Sequence, residues 1–134
     1  MTVLGDCIAR VRAGTGDARE MLSVFRDSLV LMPQTAAGAV VAADFGGVRW
    51  LLAFTTPAEL ATWVIARGSD GGAEQPYLSV LGSRLLDVAV PDVGVPAGVA
   101  IDVAGTEPMM LPPVRGIVGE GFAVDTGSVR GGVS

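Results

Sequence analysis

The sequence predicts an α+β domain: a mixed or antiparallel sheet of about five strands, with helices at the start and short helices between strands. Three observations predict it. The first 27 residues carry apolar side chains at helical spacing, interrupted by a Gly-Thr-Gly turn. From Leu29 onward the period shortens to strand-like runs bounded by Gly and Pro. Between those runs, Thr56-Pro57-Ala58-Glu59 is a helix-start signature.

Val3 to Ala13 reads as a helix, because Leu4, Cys7, Ile8 and Val11 fall at i, i+3, i+4 and i+7. Gly14-Thr15-Gly16 ends it. Asp17 caps a second helix, with Glu20 at N3 and an apolar face of Ala18, Met21, Leu22 and Phe25. Leu29 to Met32 is an apolar run stopped by Pro33, as expected of a buried strand. Ala39 to Ala43 and Val48 to Phe54 flank Asp44-Phe45-Gly46-Gly47 and read as a hairpin. Val48, Trp50, Leu52 and Phe54 face one way and Arg49, Leu51 and Ala53 the other. Both faces are largely apolar, which predicts a central strand.

Thr56 is then an N-cap, Pro57 sits at N1 and Glu59 closes a capping box, for a helix running to about Ala66. Tyr77 to Leu81 is a further strand. Ser83 is expected to cap a helix over Arg84 to Val90, closed by Pro91. Gly98 to Val103 reads as a strand, with Met109-Met110-Leu111 returning as its hairpin partner. Residues 1–113 form one domain on this reading. Residues 114–134 are a Gly-rich extension with a strand expected around Phe122 to Val124.

Composition narrows the function. The 134 residues include no His, and reading along them finds no Lys and no Asn; Cys7 is the single cysteine. Most catalytic schemes near neutral pH use His, Lys or an activated Cys. A non-enzymatic protein with no cofactor is therefore expected. One Cys and no His exclude Cys/His metal sites. The net charge is −5 and all nine basic residues are scattered arginines, which disfavours nucleic-acid binding. Mean hydropathy is +0.54, yet no apolar run of about 18 residues exists to span a membrane. The N-terminus lacks a basic n-region, so a cytoplasmic protein is expected.

The order of elements resembles the N-terminal domain of the SseB family. The resemblance rests on Leu29-Val30-Leu31-Met32-Pro33 and on Ala53-Phe54-Thr55-Thr56-Pro57-Ala58-Glu59-Leu60, with Trp63 after it. It continues through Gly82-Ser83-Arg84-Leu85-Leu86, Gly98-Val99-Ala100-Ile101-Asp102-Val103-Ala104-Gly105 and Leu111-Pro112. It covers roughly residues 17 to 113 and departs at Val103, where the family often has Pro. The pattern contains no catalytic signature. It implies the α+β fold and a protein-interaction or regulatory domain.

Each candidate site competes with a structural role. Cys7 lies on the apolar stripe of the first helix and reads as core. Thr55, Thr56 and Glu59 either hold an anion at a helix N-terminus or simply cap that helix. Asp102 pairs with an Arg, caps a turn, or joins an acidic surface with Asp44, Asp92 and Glu107. Two buried carboxylates facing each other, drawn from residues such as Asp44 or Asp102, would instead argue for an enzyme. Trp50 and Trp63 read as core; an exposed one would anchor a partner. Ile117 and Phe122 in the extension are candidate interaction residues. A protein partner or a homodimer is the expectation, since only 17% of the residues are charged. Binding would use a sheet edge, the extension or a groove near Trp63.

Overall fold

Two ten-residue helices open the chain. In the computed structural model, which describes residues 2–68 and 75–113, they are α1 (Val3–Arg12) and α2 (Ala18–Asp27). The Thr2 hydroxyl accepts from the Gly5 N–H to cap α1, and the Asp17 carboxylate accepts from the Arg19 N–H to cap α2. Leu4, Cys7, Ile8, Met21 and Phe25 are the buried stripes. Cys7 is therefore a core residue, as its place on the stripe implied.

Six strands follow among the described residues: β1 (Leu29–Pro33), β2 (Ala42–Phe45), β3 (Val48–Ala53), β4 (Tyr77–Leu81), β5 (Ala97–Ile101) and β6 (Met109–Leu111). They divide into two sheets instead of the single sheet expected. One pairs β1 with β4 antiparallel; the other runs in the order β2-β3-β5-β6. β3 is central, with β2 antiparallel on one side and β5 parallel on the other. The sheets meet where Leu31 and Phe54 exchange two backbone hydrogen bonds of 2.8 Å. At that point β3 has run past β2, and β1 takes over as its neighbour.

The β2–β3 turn is tighter than the sequence suggested. Phe45 and Asp44 belong to the strand, and only Gly46-Gly47 turn, at φ 63° and 80°. Two successive positive φ values fit a primed two-residue hairpin, which glycine adopts without steric cost.

The β3 alternation matches the expected one. Leu51 and Ala53 join the core formed with α1, α2, Val99 and Ile101. Leu52 and Phe54 face the other side, onto Leu60 and Val64 of α3 (Pro57–Ala66). Helices thus cover both faces of the larger sheet.

The helix after β4 departs from expectation. It starts at Gly82 with no side-chain cap, so Ser83 does not cap it. It comprises α4 (Gly82–Arg84), a π-helical turn (Leu85–Ala89) and α5 (Val90–Val93). Pro91 does not close it. The Val90 N–H reaches back five residues to the Leu85 carbonyl. That wider turn gives the Pro91 ring room that a regular helix denies it. Pro91 then sits in the first turn of α5, and Gly94 at φ 81° ends the segment. Arg26 holds the π-turn to α2 through a two-pronged contact with Asp87, at 2.6 and 3.2 Å.

No helix among the described residues is long and apolar enough to cross a membrane. Ile117, Phe122 and the strand expected at Phe122 to Val124 lie outside the described residues.

Candidate functional site

The α3 helix starts where its sequence says it should. Thr56 is the N-cap, its hydroxyl accepting from the Glu59 N–H at 3.2 Å, and Pro57 occupies the first turn. The capping box is only half made. Glu59 does not return the second bond; its Oε1 is buried without a hydrogen-bond partner. The carboxylate lies instead against Gly105, where any Cβ would collide with it.

Thr55 and Asp102 form the centre of this region. Asp102 is 6% exposed. It accepts the Thr55 N–H at 2.8 Å and the Thr55 hydroxyl at 2.7 Å. Asp102 stands at φ 52°, unlike any other non-Gly residue described. That left-handed turn swings the chain out of β5, and the Gly105 N–H closes it onto the Asp102 carbonyl. Asp102 stands at the start of the turn, but its carboxylate bonds to Thr55 and not to the turn's own backbone, so it neither caps that turn nor pairs with an arginine among the described residues. Of the acidic surface of the other reading, Asp102 and Glu107 line one cleft, whereas Asp44 lines a different one. Asp44 pairs with Arg49 at 2.8 Å and Glu107 with Arg12 at 2.7 Å.

A cleft of about 370 Å³ opens here, lined by Thr2, Gly5, Thr55, Thr56, Glu59, Asp102 and Glu107 among others. The N-termini of α1 and α3 both border it. Their free N–H groups favour negative charge, and the cleft is lined by the chain's own carboxylates Glu59, Asp102 and Glu107. Burial raises Asp102 above the usual carboxylate range, against the lowering effect of the Thr55 bonds. Burial also raises Glu59, and the Asp102 charge adds to it. An external anion would meet Asp102, Glu59 and Glu107, so the surroundings oppose the anion reading of Thr55, Thr56 and Glu59. Among the described residues no group of three or more His, Cys, Asp or Glu is placed to hold a metal ion.

Trp63 is half-buried. Its ring lies 5.6 Å from that of Phe54, and the Arg67 guanidinium covers it at 4.5 Å. Trp50 is likewise half-buried and donates its indole N–H to the Phe45 carbonyl at 3.2 Å. Both tryptophans are used internally.

A group of exposed apolar side chains lies around β4, while Phe45 of β2 and Val3 of α1 are exposed away from it. Among the described residues β4 pairs only with β1, and every residue of it is exposed except half-buried Val80. Tyr77, Leu78 and Leu81 are exposed, together with Leu29 opposite Leu81. Val88 of the π-turn borders the groove beside Leu78, and Ile65 of α3 the one beside Tyr77. The sequence read Tyr77 to Leu81 as a strand but not as a site. The signal was present: five residues with no charge, no Pro and apolar side chains on both faces. Native edge strands usually carry such guards. The β2 edge has Asp44 and Arg49 beside it, and the β6 edge is three residues long.

No curated protein and no solved structure matches the chain. The model of one family, the SseB protein N-terminal domain, matches residues 4–115. That span takes in every helix and strand described from Leu4 onward, and the chain belongs to the SseB protein N-terminal domain family.

Proposed function

We propose that this chain is a non-catalytic protein-interaction domain that works through the open edge of the β1–β4 sheet. One observation carries the reading: β4 presents unpaired backbone groups, among the described residues, flanked by exposed apolar side chains on both faces. An added strand would satisfy the backbone while the grooves beside Leu78 and Tyr77 take side chains.

The alternation of the ladder tells which groups are free. Gly82 donates to Ser28 and Gln34 donates to Pro76, both at 2.8–2.9 Å. In an antiparallel pair the bonded positions alternate. Leu78 and Val80 therefore bond to β1, and Tyr77, Ser79 and Leu81 turn their N–H and C=O groups outward.

The absence of His and Lys supports a non-catalytic role. So does Asp102, since both its oxygens are engaged by Thr55. Ser79→Pro tests the reading, because it removes an outward donor and spares the bonds to β1. Proteins retained from an extract of the source organism by the wild-type chain should be lost with this variant. Retention unchanged by Ser79→Pro would contradict the use of this edge.

A further inference from the structure

The β4 edge is complementary to itself, and from this we infer that its occupant is a second copy of the chain, joined antiparallel across a two-fold axis at Ser79. The inference rests on the edge reading above and names the partner. In that register Ser79 faces Ser79 of the second copy, and Tyr77 faces Leu81 of the second copy. These are the three residues whose backbone groups point outward. Each facing pair exchanges two hydrogen bonds, so every outward donor and acceptor of both strands finds a partner. A shift of one residue would set outward groups against inward ones and lose the whole ladder.

The side chains fit the same register. Tyr77 meets Leu81 on one face, and Leu78 meets Val80 on the other. No charged residue lies in the strand, so two chains of net charge −5 meet along a neutral seam. The seam is flanked by exposed apolar side chains. Tyr77 is 47% exposed, Leu78 43% and Leu81 40%, and Val88, beside Leu78, is 52% exposed. With the strand edges themselves, these side chains would be withdrawn from water between the two copies. Joining the edges makes a four-stranded sheet in the order β1-β4-β4-β1, and neither copy keeps an open β4.

The experiment is sedimentation equilibrium on the full chain over a range of concentrations, for the wild type, Ser79→Pro and Ser79→Asp. Ser79→Asp places two carboxylates opposite each other on the axis and leaves the exposed position free to fold. Far-ultraviolet circular dichroism checks the fold of each, and Ser79→Asp decides alone if the proline variant does not fold. The expected result is a wild-type dimer of twice 13.6 kDa and loss of that dimer in the variants. A dimer indifferent to Ser79→Asp overturns the inference. So does a wild type that stays monomeric at all concentrations. A monomer that still retains another protein, and loses it on Ser79→Pro, keeps the edge reading and removes the second copy as occupant. A monomer that retains nothing removes both.

Discussion

Thr55 gives both of its donors to Asp102, backbone N–H and hydroxyl, across 47 residues of sequence. This joins the residue before the α3 cap to the turn that leaves β5. The parallel pairing of β3 with β5 runs straight into it, since the Asp102 N–H donates to the Ala53 carbonyl at 2.9 Å. The pair therefore locks the crossover that carries the chain from β3 to β5.

Removing the acceptor should cost more than removing its charge. Asp102→Ala strands two donors of Thr55 and puts a Cβ-only side chain at φ 52°. A loss of about 2 kcal/mol is expected in urea denaturation. Asp102→Asn keeps an acceptor for the Thr55 N–H and suits the left-handed conformation. It should retain most of the stability at neutral pH.

Stability should fall as pH rises out of the acid range. Asp102 and Glu59 are both raised above their ordinary values of 3.8 and 4.5 by burial, Glu59 further by Asp102. The folded state then holds protons that the unfolded state has released. Their contribution is fully present below the ordinary carboxylate values and is lost as pH climbs through the raised ones. Glu59→Gln combined with Asp102→Asn should flatten that slope in urea midpoints measured from pH 4 upward. Asp44 acts oppositely, because its hydrogen bond to Arg49 lowers it. Its contribution is present above the ordinary value and fades as pH falls through the lowered one. Asp44→Asn should therefore leave the alkaline-side slope unchanged.

The helices and strands were legible because each rests on local chemistry. The α1 stripe, the Thr56-Pro57 start and the Gly46-Gly47 turn are decided by neighbours a few residues apart. The half-made capping box was not legible. Glu59 is drawn against Gly105, and that packing depends on the Asp102 turn. The split into two sheets was hidden for the same reason. Whether Leu31 or Val41 lies beside the end of β3 is a tertiary choice. The run through Pro91 was hidden because the π-turn that admits it has no strong sequence signature.

Arg67→Ala should uncover Trp63. The guanidinium over the ring at 4.5 Å is worth about 0.5–1 kcal/mol at a partly exposed site. The expected outcome is a loss of that order in urea denaturation, with tryptophan emission moved to longer wavelength. Unchanged emission would mean that Arg67 does not shield the ring in solution.

Gly46→Ala should destabilise the β2–β3 hairpin by about 1–2 kcal/mol, because an alanine at φ 63° meets steric strain even with open space around it. Gly46→Asn should recover part of that loss in thermal denaturation. Equal stability of the two variants would contradict the primed turn.

The most direct measurement on the β4 edge is residue-resolved amide hydrogen exchange, comparing the monomer with the assembly the protein forms, whether with itself or with another chain. The Tyr77, Ser79 and Leu81 amides should exchange freely in the monomer and become protected in the assembly, while Leu78 and Val80 should be protected in both. Tyr77, Ser79 and Leu81 amides that exchange as freely in the assembly as in the monomer, with new protection on β2 or β6 instead, would contradict the use of the β4 edge.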